Sequence, residues 1–151
     1  MPVSVNTKLS GARSSSPQSY TPTTFTPSTN ATINYLTWYQ EDKFLVIDAR
    51  ISWSTTGAAG SVILGIDGIP GSPQIDTTWL NGTNGDNSTD SHLGDALWYD
   101  AGVGWKAVWI TYNNATSMKF ATSSQILAGT QMGALDNLKI AQLRLPIVGW
   151  G

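Results

Sequence analysis

Lys43-Phe44-Leu45-Val46-Ile47-Asp48-Ala49-Arg50-Ile51-Ser52-Trp53 is the stretch on which the fold is read. Leu45, Ile47, Ala49, Ile51 and Trp53 share one parity, while Asp48, Arg50 and Ser52 share the other. A period of two puts one face of a β-strand on a core and the other towards water, and a helix cannot use it. Just upstream, Tyr35-Leu36-Thr37-Trp38-Tyr39 is a second β-branched and aromatic run. The polar Gln40-Glu41-Asp42-Lys43 between the two has the length of a hairpin connection. The first hairpin of an all-β domain is predicted here.

Downstream the chain continues as short strands between turn signals. Ser61-Val62-Ile63-Leu64-Gly65-Ile66 reads as a strand, and Gly68, Pro70, Gly71 and Pro73 then punctuate a passage no helix could cross. Asp76 to Leu97 reads as a long polar surface loop with one buried anchor, Trp79-Leu80. Leu97-Trp98-Tyr99-Asp100 and Gly104 to Tyr112 flank the turn Ala101-Gly102-Val103 and predict a second hairpin. In its second strand both parities are apolar: Trp105, Ala107 and Trp109 on one, which reads as core, and Val108, Ile110 and Tyr112 on the other. A strand greasy on both faces is covered on both faces. The outer cover is expected to be a partner chain, which makes Val108, Ile110 and Tyr112 the predicted oligomer interface.

In Ser117 to Ala121, Met118 and Phe120 point one way and Ser117 and Lys119 the other. Gln125 to Met132 has room for one helical turn, interrupted by Gly129 and Gly133. The last strand, Leu138 to Ile147, is predicted to turn Ala141, Leu143, Leu145 and Ile147 inward, with Pro146 marking a sheet edge. Trp150 is read as a plug over the end of the core.

Residues 1–32 are a different material, rich in Ser and Thr with Pro17, Pro22 and Pro27 five apart. Such a segment cannot bury enough apolar surface to fold alone, so it is expected as an extended arm ahead of a domain spanning 33–151. Val3, Val5, Leu9, Tyr20 and Phe25 are spread through it. Two readings stay open: an arm folded back on its own domain, or one gripping a neighbouring subunit.

Composition removes several classes of function. Only 12% of the 151 residues are charged and the formal net charge is −2, so nothing gathers Lys and Arg as nucleic acid or an anionic membrane requires. With no cysteine, disulfides and thiolate metal sites are excluded. Met1-Pro2-Val3-Ser4 does not open a secretion signal and no apolar run approaches a membrane span, so neither signal nor anchor is expected. The Asn-X-Thr tripeptides at Asn30, Asn81, Asn87 and Asn114 are accidents of a Thr/Asn-rich chain.

No catalytic constellation is legible. His92 is the single histidine, which excludes a multi-histidine metal site, and because it reads as solvated in the polar loop no Ser-His-Asp triad is expected either. Glu41 and Asp42 are adjacent and so fall on opposite faces of any strand, the wrong arrangement for a glycosidase pair. Asp86-Asn87-Ser88-Thr89-Asp90 starts like a calcium loop and lacks the later acidic ligand. No enzyme, cofactor or metal is expected. Trp38, Trp79 and Trp98 remain as candidate exposed stacking platforms, while Trp53 reads as core.

Three pieces in this order carry a resemblance. They are the Tyr35 to Trp53 hairpin, Leu93-Gly94-Asp95-Ala96-Leu97-Trp98-Tyr99-Asp100 leading into an aromatic strand and a Thr-Ser-Met turn, and the closing Leu143-Arg144-Leu145-Pro146-Ile147-Val148-Gly149-Trp150. From about Ile33 to Gly151 the chain resembles the small β-sandwich domains of bacteriophage virions, found in capsid decoration (cement) proteins and in tail-fibre C-terminal domains. The resemblance implies an antiparallel, jelly-roll-like β-sandwich, a homotrimer, no enzyme activity, and a place on the virion. A tail fibre carries a shaft ahead of such a module, whereas here only a Ser/Thr/Pro arm precedes it, which favours decoration of the outer capsid surface. The major capsid protein is then the expected partner, gripped by the arm through Val3, Val5, Leu9, Arg13, Tyr20 and Phe25. The alternative is a receptor-binding tail-fibre or tail-tip domain that recognises a host glycan through Trp79, Asn81 and His92.

Overall fold

The computed structural model describes residues 16–83, 89–123 and 125–150. In chain order the strands are β1 (Gln18–Ser19), β2 (Phe25–Thr26), β3 (Ala31–Glu41), β4 (Phe44–Trp53), β5 (Ile63–Gly65), β6 (His92–Asp100), β7 (Gly104–Asn114), β8 (Ser117–Ala121) and β9 (Asn137–Pro146). Every pairing is antiparallel, and together they make one sheet in the order β1-β3-β4-β9-β6-β7-β8-β5-β2. The sheet curls into a half-barrel with the core in its hollow. The fold is all-β, as the sequence predicts. Two 3₁₀ turns, Thr89–Ser91 and Gly129–Gln131, are the helical pieces among the described residues.

The deciding hairpin folds as read, with longer strands and a tighter turn. Only Asp42 and Lys43 lie between the paired Glu41 and Phe44, and Asp42 adopts a left-handed backbone at φ 55°, which a short polar side chain tolerates. Leu45, Ile47, Ala49, Ile51 and Trp53 all point into the hollow and are buried. Each large apolar side chain so placed contributes about 1.5–3 kcal/mol. The strand β4 thereby supplies one whole wall of the core.

Four readings need correction. In β7 the inward parity is Val108 and Ile110, both fully buried in this chain's own core, while Trp105 is 56% exposed. Val108 and Ile110 therefore cannot form an outer interface, and Tyr112 is itself packed against the core. The reason is register. Ala96 opposes Val108 on β6, and Phe120 opposes Ile110 on β8, and both of these partners face the hollow.

In β9 the strict alternation is broken by a β-bulge. Ile140 and Leu143 both face inward, so Ala141 and Gln142 sit side by side on the outside. Gln142 takes a left-handed backbone at φ 53°, and its N–H donates to the Asp48 carboxylate at 2.9 Å. Ala141 is accordingly exposed, while Leu143, Leu145 and Ile147 are buried as predicted. Pro146 has only β4 as its ladder neighbour, because β6 pairs with β9 through Asn137 to Lys139 alone. A missing N–H leaves no gap there. The polar loop is also shorter than read: β6 begins at His92, and it is Leu80 that reaches the core while Trp79 is 44% exposed.

The fourth correction concerns the arm. The expected boundary at 32/33 falls inside β3, and the chain from Gln18 onward is built into the sheet. β1 pairs with β3 at one end of the sheet and β2 with β5 at the other, so residues 18–26 form a strap joining the two ends. Tyr20 shows the crossing in one residue: its N–H donates to Leu36 O on β3 and its phenol to Gly65 O on β5. Burial, with the Asp67 charge adding to it, raises the phenol's pKa well above the usual tyrosine range. Asp67 latches the strap by accepting the N–H groups of Thr23 and Thr24 at 2.9 and 3.1 Å and the Thr24 hydroxyl at 2.5 Å. A Cβ at Gly68 would lie 1.8 Å from Thr21 O, so the close approach requires glycine. A segment too polar to fold alone is thus stabilised by capping two open sheet edges.

Candidate functional site

The outer face of the sheet carries what the core left over. Register aligns a row across five strands: Tyr35 on β3 opposes Arg50 on β4, Arg50 opposes Lys139 on β9, Lys139 opposes Leu97 on β6, and Leu97 opposes Ala107 on β7. The next row on the same face runs Ser52, Asn137, Tyr99 and Trp105. Between the rows lies an open groove of about 450 Å³ lined by Tyr35, Arg50, Tyr99, Trp105, Asn137 and Lys139. Beside it, a second hollow of about 380 Å³ is lined by Asp95, Ala96, Leu97, Ala107, Lys139 and Ala141.

Local sequence explains the walls. Gly102 and Gly104 take φ values of 88° and 119°, which turn the chain so that Trp105 returns opposite Tyr99. Their rings lie 5.2 Å apart at 58°, a tilted aromatic pair. The bulge in β9 adds Ala141 to the outside, where it floors the second hollow. Tyr35 at 39%, Leu97 at 47% and Trp105 at 56% exposure make this face apolar as well as open. A domain with a complete core rarely leaves such a patch without use.

The charges on this face divide into paired and unpaired. Arg144 is bonded to Glu41 and lies over the Phe44 ring, and Asp48 accepts the Gln142 N–H at 2.9 Å. The side chains of Arg50 and Lys139, by contrast, have no hydrogen-bond or ion-pair partner among the described residues. They are also direct cross-strand neighbours. Like charges placed opposite one another destabilise a sheet by up to about 1 kcal/mol, and an anion between them reverses the sign.

The residues proposed from sequence are not brought together. Val3, Val5, Leu9 and Arg13 lie outside the described residues, as does most of the calcium-like loop at 86–90. Tyr20 and Phe25 are partly buried and pack against this chain's own core. Of the candidate stacking platforms, Trp98 is buried and Trp38 packs against the core. Trp79 is open, and lines a small groove of about 230 Å³ with Phe44, Pro146 and Trp150. There Asp76 accepts the backbone and hydroxyl hydrogens of Thr78, which hold its carboxyl below the usual range. Asn81 is exposed. His92 has different surroundings, with Nε2 2.7 Å from Gly94 O and 3.0 Å from Asp95 Oδ1, and its ring 5.9 Å from that of Trp109.

The groove residues that sequence reading missed are Tyr35, Arg50, Tyr99, Trp105, Asn137 and Lys139. A signal was present for Trp105. The tight turn at 113–116 pairs Ile110 with Phe120, and Lys119 marks the outward parity of that partner strand. Carrying that register back through β7 puts Ile110 inside and Trp105 outside. Comparison of the chain with family models, characterised proteins and solved structures gave no match.

Proposed function

We propose that this chain is a non-enzymatic structural protein of a bacteriophage virion, a capsid decoration (cement) protein that sits on the outer capsid surface as a homotrimer. The single observation that supports it best is the apolar half of the outer face, where Leu97 and Ala107 stand exposed on a domain whose own core is complete. Contact between copies through this half would cover it, and a closed symmetric trimer does so without leaving an open edge. The finer reading of the fold, a jelly-roll-like sandwich, is supported by the strap that holds the two ends of the sheet together.

In this reading the strap is the mechanical link between sheet and arm. Residues 1–15 engage the major capsid protein, and the pairing of β1 with β3 together with the Asp67 latch transmits the load to the sheet. Three arms acting together give avidity beyond one, and binding the assembled shell alone stabilises it. The test is light scattering coupled to size exclusion, followed by sedimentation with heads that lack the protein. The expected result is a trimer that co-sediments, a folded monomer for Ala107→Asp, and a trimer that no longer co-sediments when residues 1–15 are removed. A monomer at every concentration, or undiminished head binding by the shortened protein, overturns the proposal.

A second reading, a receptor-binding tail-fibre or tail-tip domain, is favoured by the groove at Trp105. Its contacts would be Tyr35, Tyr99 and Trp105 rather than Trp79, Asn81 and His92.

A further inference from the structure

We infer that the groove between Tyr35 and Trp105 is a binding site for an acidic saccharide, with the carboxylate of one sugar ring held between Arg50 and Lys139. This deepens the receptor-recognition reading and rests on it; it uses the polar half of the outer face and leaves the Leu97 and Ala107 half for contact between copies. Four observations converge on it. Arg50 and Lys139 are cross-strand neighbours whose side chains have no partner among the described residues, so each gains by sharing an anion. The guanidinium can offer a carboxylate two parallel N–H donors, and the ammonium adds a point charge from the opposite strand.

Aromatic faces flank the pair, Tyr35 on the β3 side and the tilted Tyr99 and Trp105 on the other. Such faces accept the apolar side of a pyranose ring, while their edges leave the hydroxyl groups in water. The Asn137 amide, nearly buried at 7% exposure, lines the same groove and carries both a donor and an acceptor for a sugar hydroxyl. The groove's volume of about 450 Å³ is within the range of small-ligand sites.

The chemistry also disfavours other occupants. A second copy laid on this groove about a two-fold axis would bury two Arg50 and Lys139 pairs against each other, an uncompensated desolvation of like charges. A polynucleotide needs a basic stripe, and here only two cations converge on a chain of net charge −2.

The experiment is a titration of the full chain with trigalacturonate, with its methyl ester and with a single-stranded DNA oligomer, followed by calorimetry and by amide and indole NMR shifts. The expected result is binding of trigalacturonate with shifts at the Asn137 amide and the Trp105 indole. Arg50→Gln and Lys139→Gln are each expected to weaken it about tenfold, the loss of one charge-assisted contact, and esterification, which removes both contacts, about a hundredfold. Trp105→Ala should abolish it with an unchanged circular dichroism spectrum. Equal binding of the ester, equal binding of the DNA, persistence in the Arg50→Gln/Lys139→Gln double variant, or no binding at millimolar ligand each overturns the inference. Adsorption of the labelled chain to host cells is read separately, so failure here is distinguishable from failure of the receptor-recognition reading.

Discussion

The two faces of β7 are nearly equal in apolar content and opposite in fate. Val108 and Ile110 have no exposed surface, whereas Trp105 and Ala107, on the alternate parity, stand in solvent. The neighbouring strands decide this, because β6 and β8 set Ala96 and Phe120 opposite the inward pair. Hydrophobicity says that a residue gains by being covered; pairing register says which residues the chain itself covers.

The same substitution on each face is the sharpest test of that contrast. Ile110→Asp is expected to unfold the domain, since an unpaired carboxylate in the core costs several kcal/mol against a total stability of about 5–15 kcal/mol. Loss of the far-ultraviolet strand signal at 25 °C would show it. A folded Ile110→Asp protein would mean that the inner parity is misassigned. Gly68→Val comes next. With a Cβ meeting Thr21 O at 1.8 Å, the strap must lift, and a loss of about 1–3 kcal/mol is expected in urea unfolding.

Asp67→Asn is milder, on the order of 1 kcal/mol, because the amide still accepts one or two of the strap's hydrogen bonds. It also carries a pH signature. Burial pushes the Asp67 carboxyl up, but the Thr24 hydroxyl and the Thr24 and Thr23 N–H groups together outweigh it and hold the pKa below the ordinary 3.8. A group depressed in the folded state stabilises it above its unfolded pKa and loses that contribution as pH falls through the folded value. The wild-type strap is therefore fully latched above about pH 5 and released progressively below the ordinary value. Thermal melts should show Asp67→Asn converging on wild type as pH drops to 2; a constant gap would remove the latch. The smallest effect is expected for Trp105→Ala and Ala107→Asp, within about 0.5 kcal/mol in a monomeric reference state, as for surface positions generally.

The strap and the strand β4 differ in how legible they were. Strand β4 announces itself, since its five inward residues alternate without interruption and its own hairpin partner is the next element. The strap gives no such sign. Residues 18–26 have neither alternation nor apolar content enough to predict strands, and they pair with β3 and β5 only because the curled sheet presents two open edges. In β9 the period of two held on each side of Gln142 and failed across it, since one extra residue reverses every later side chain. The groove was illegible for a related reason. Tyr35, Arg50, Lys139 and Trp105 are scattered through the sequence and share a surface only through four successive strand pairings.

The sequence by itself determined the all-β class, the β3 to β4 hairpin, the second hairpin at the glycine turn and the inward set of β4. These depend on local periodicity and turn chemistry, which a linear string carries in full. Tertiary structure alone decided which parity of β7 is core, where β9 slips, that the Ser/Thr/Pro segment from Gln18 closes the sheet, and which side chains meet in the groove. Each of these depends on long-range register, and register is fixed by the partner strand rather than by the residues it positions.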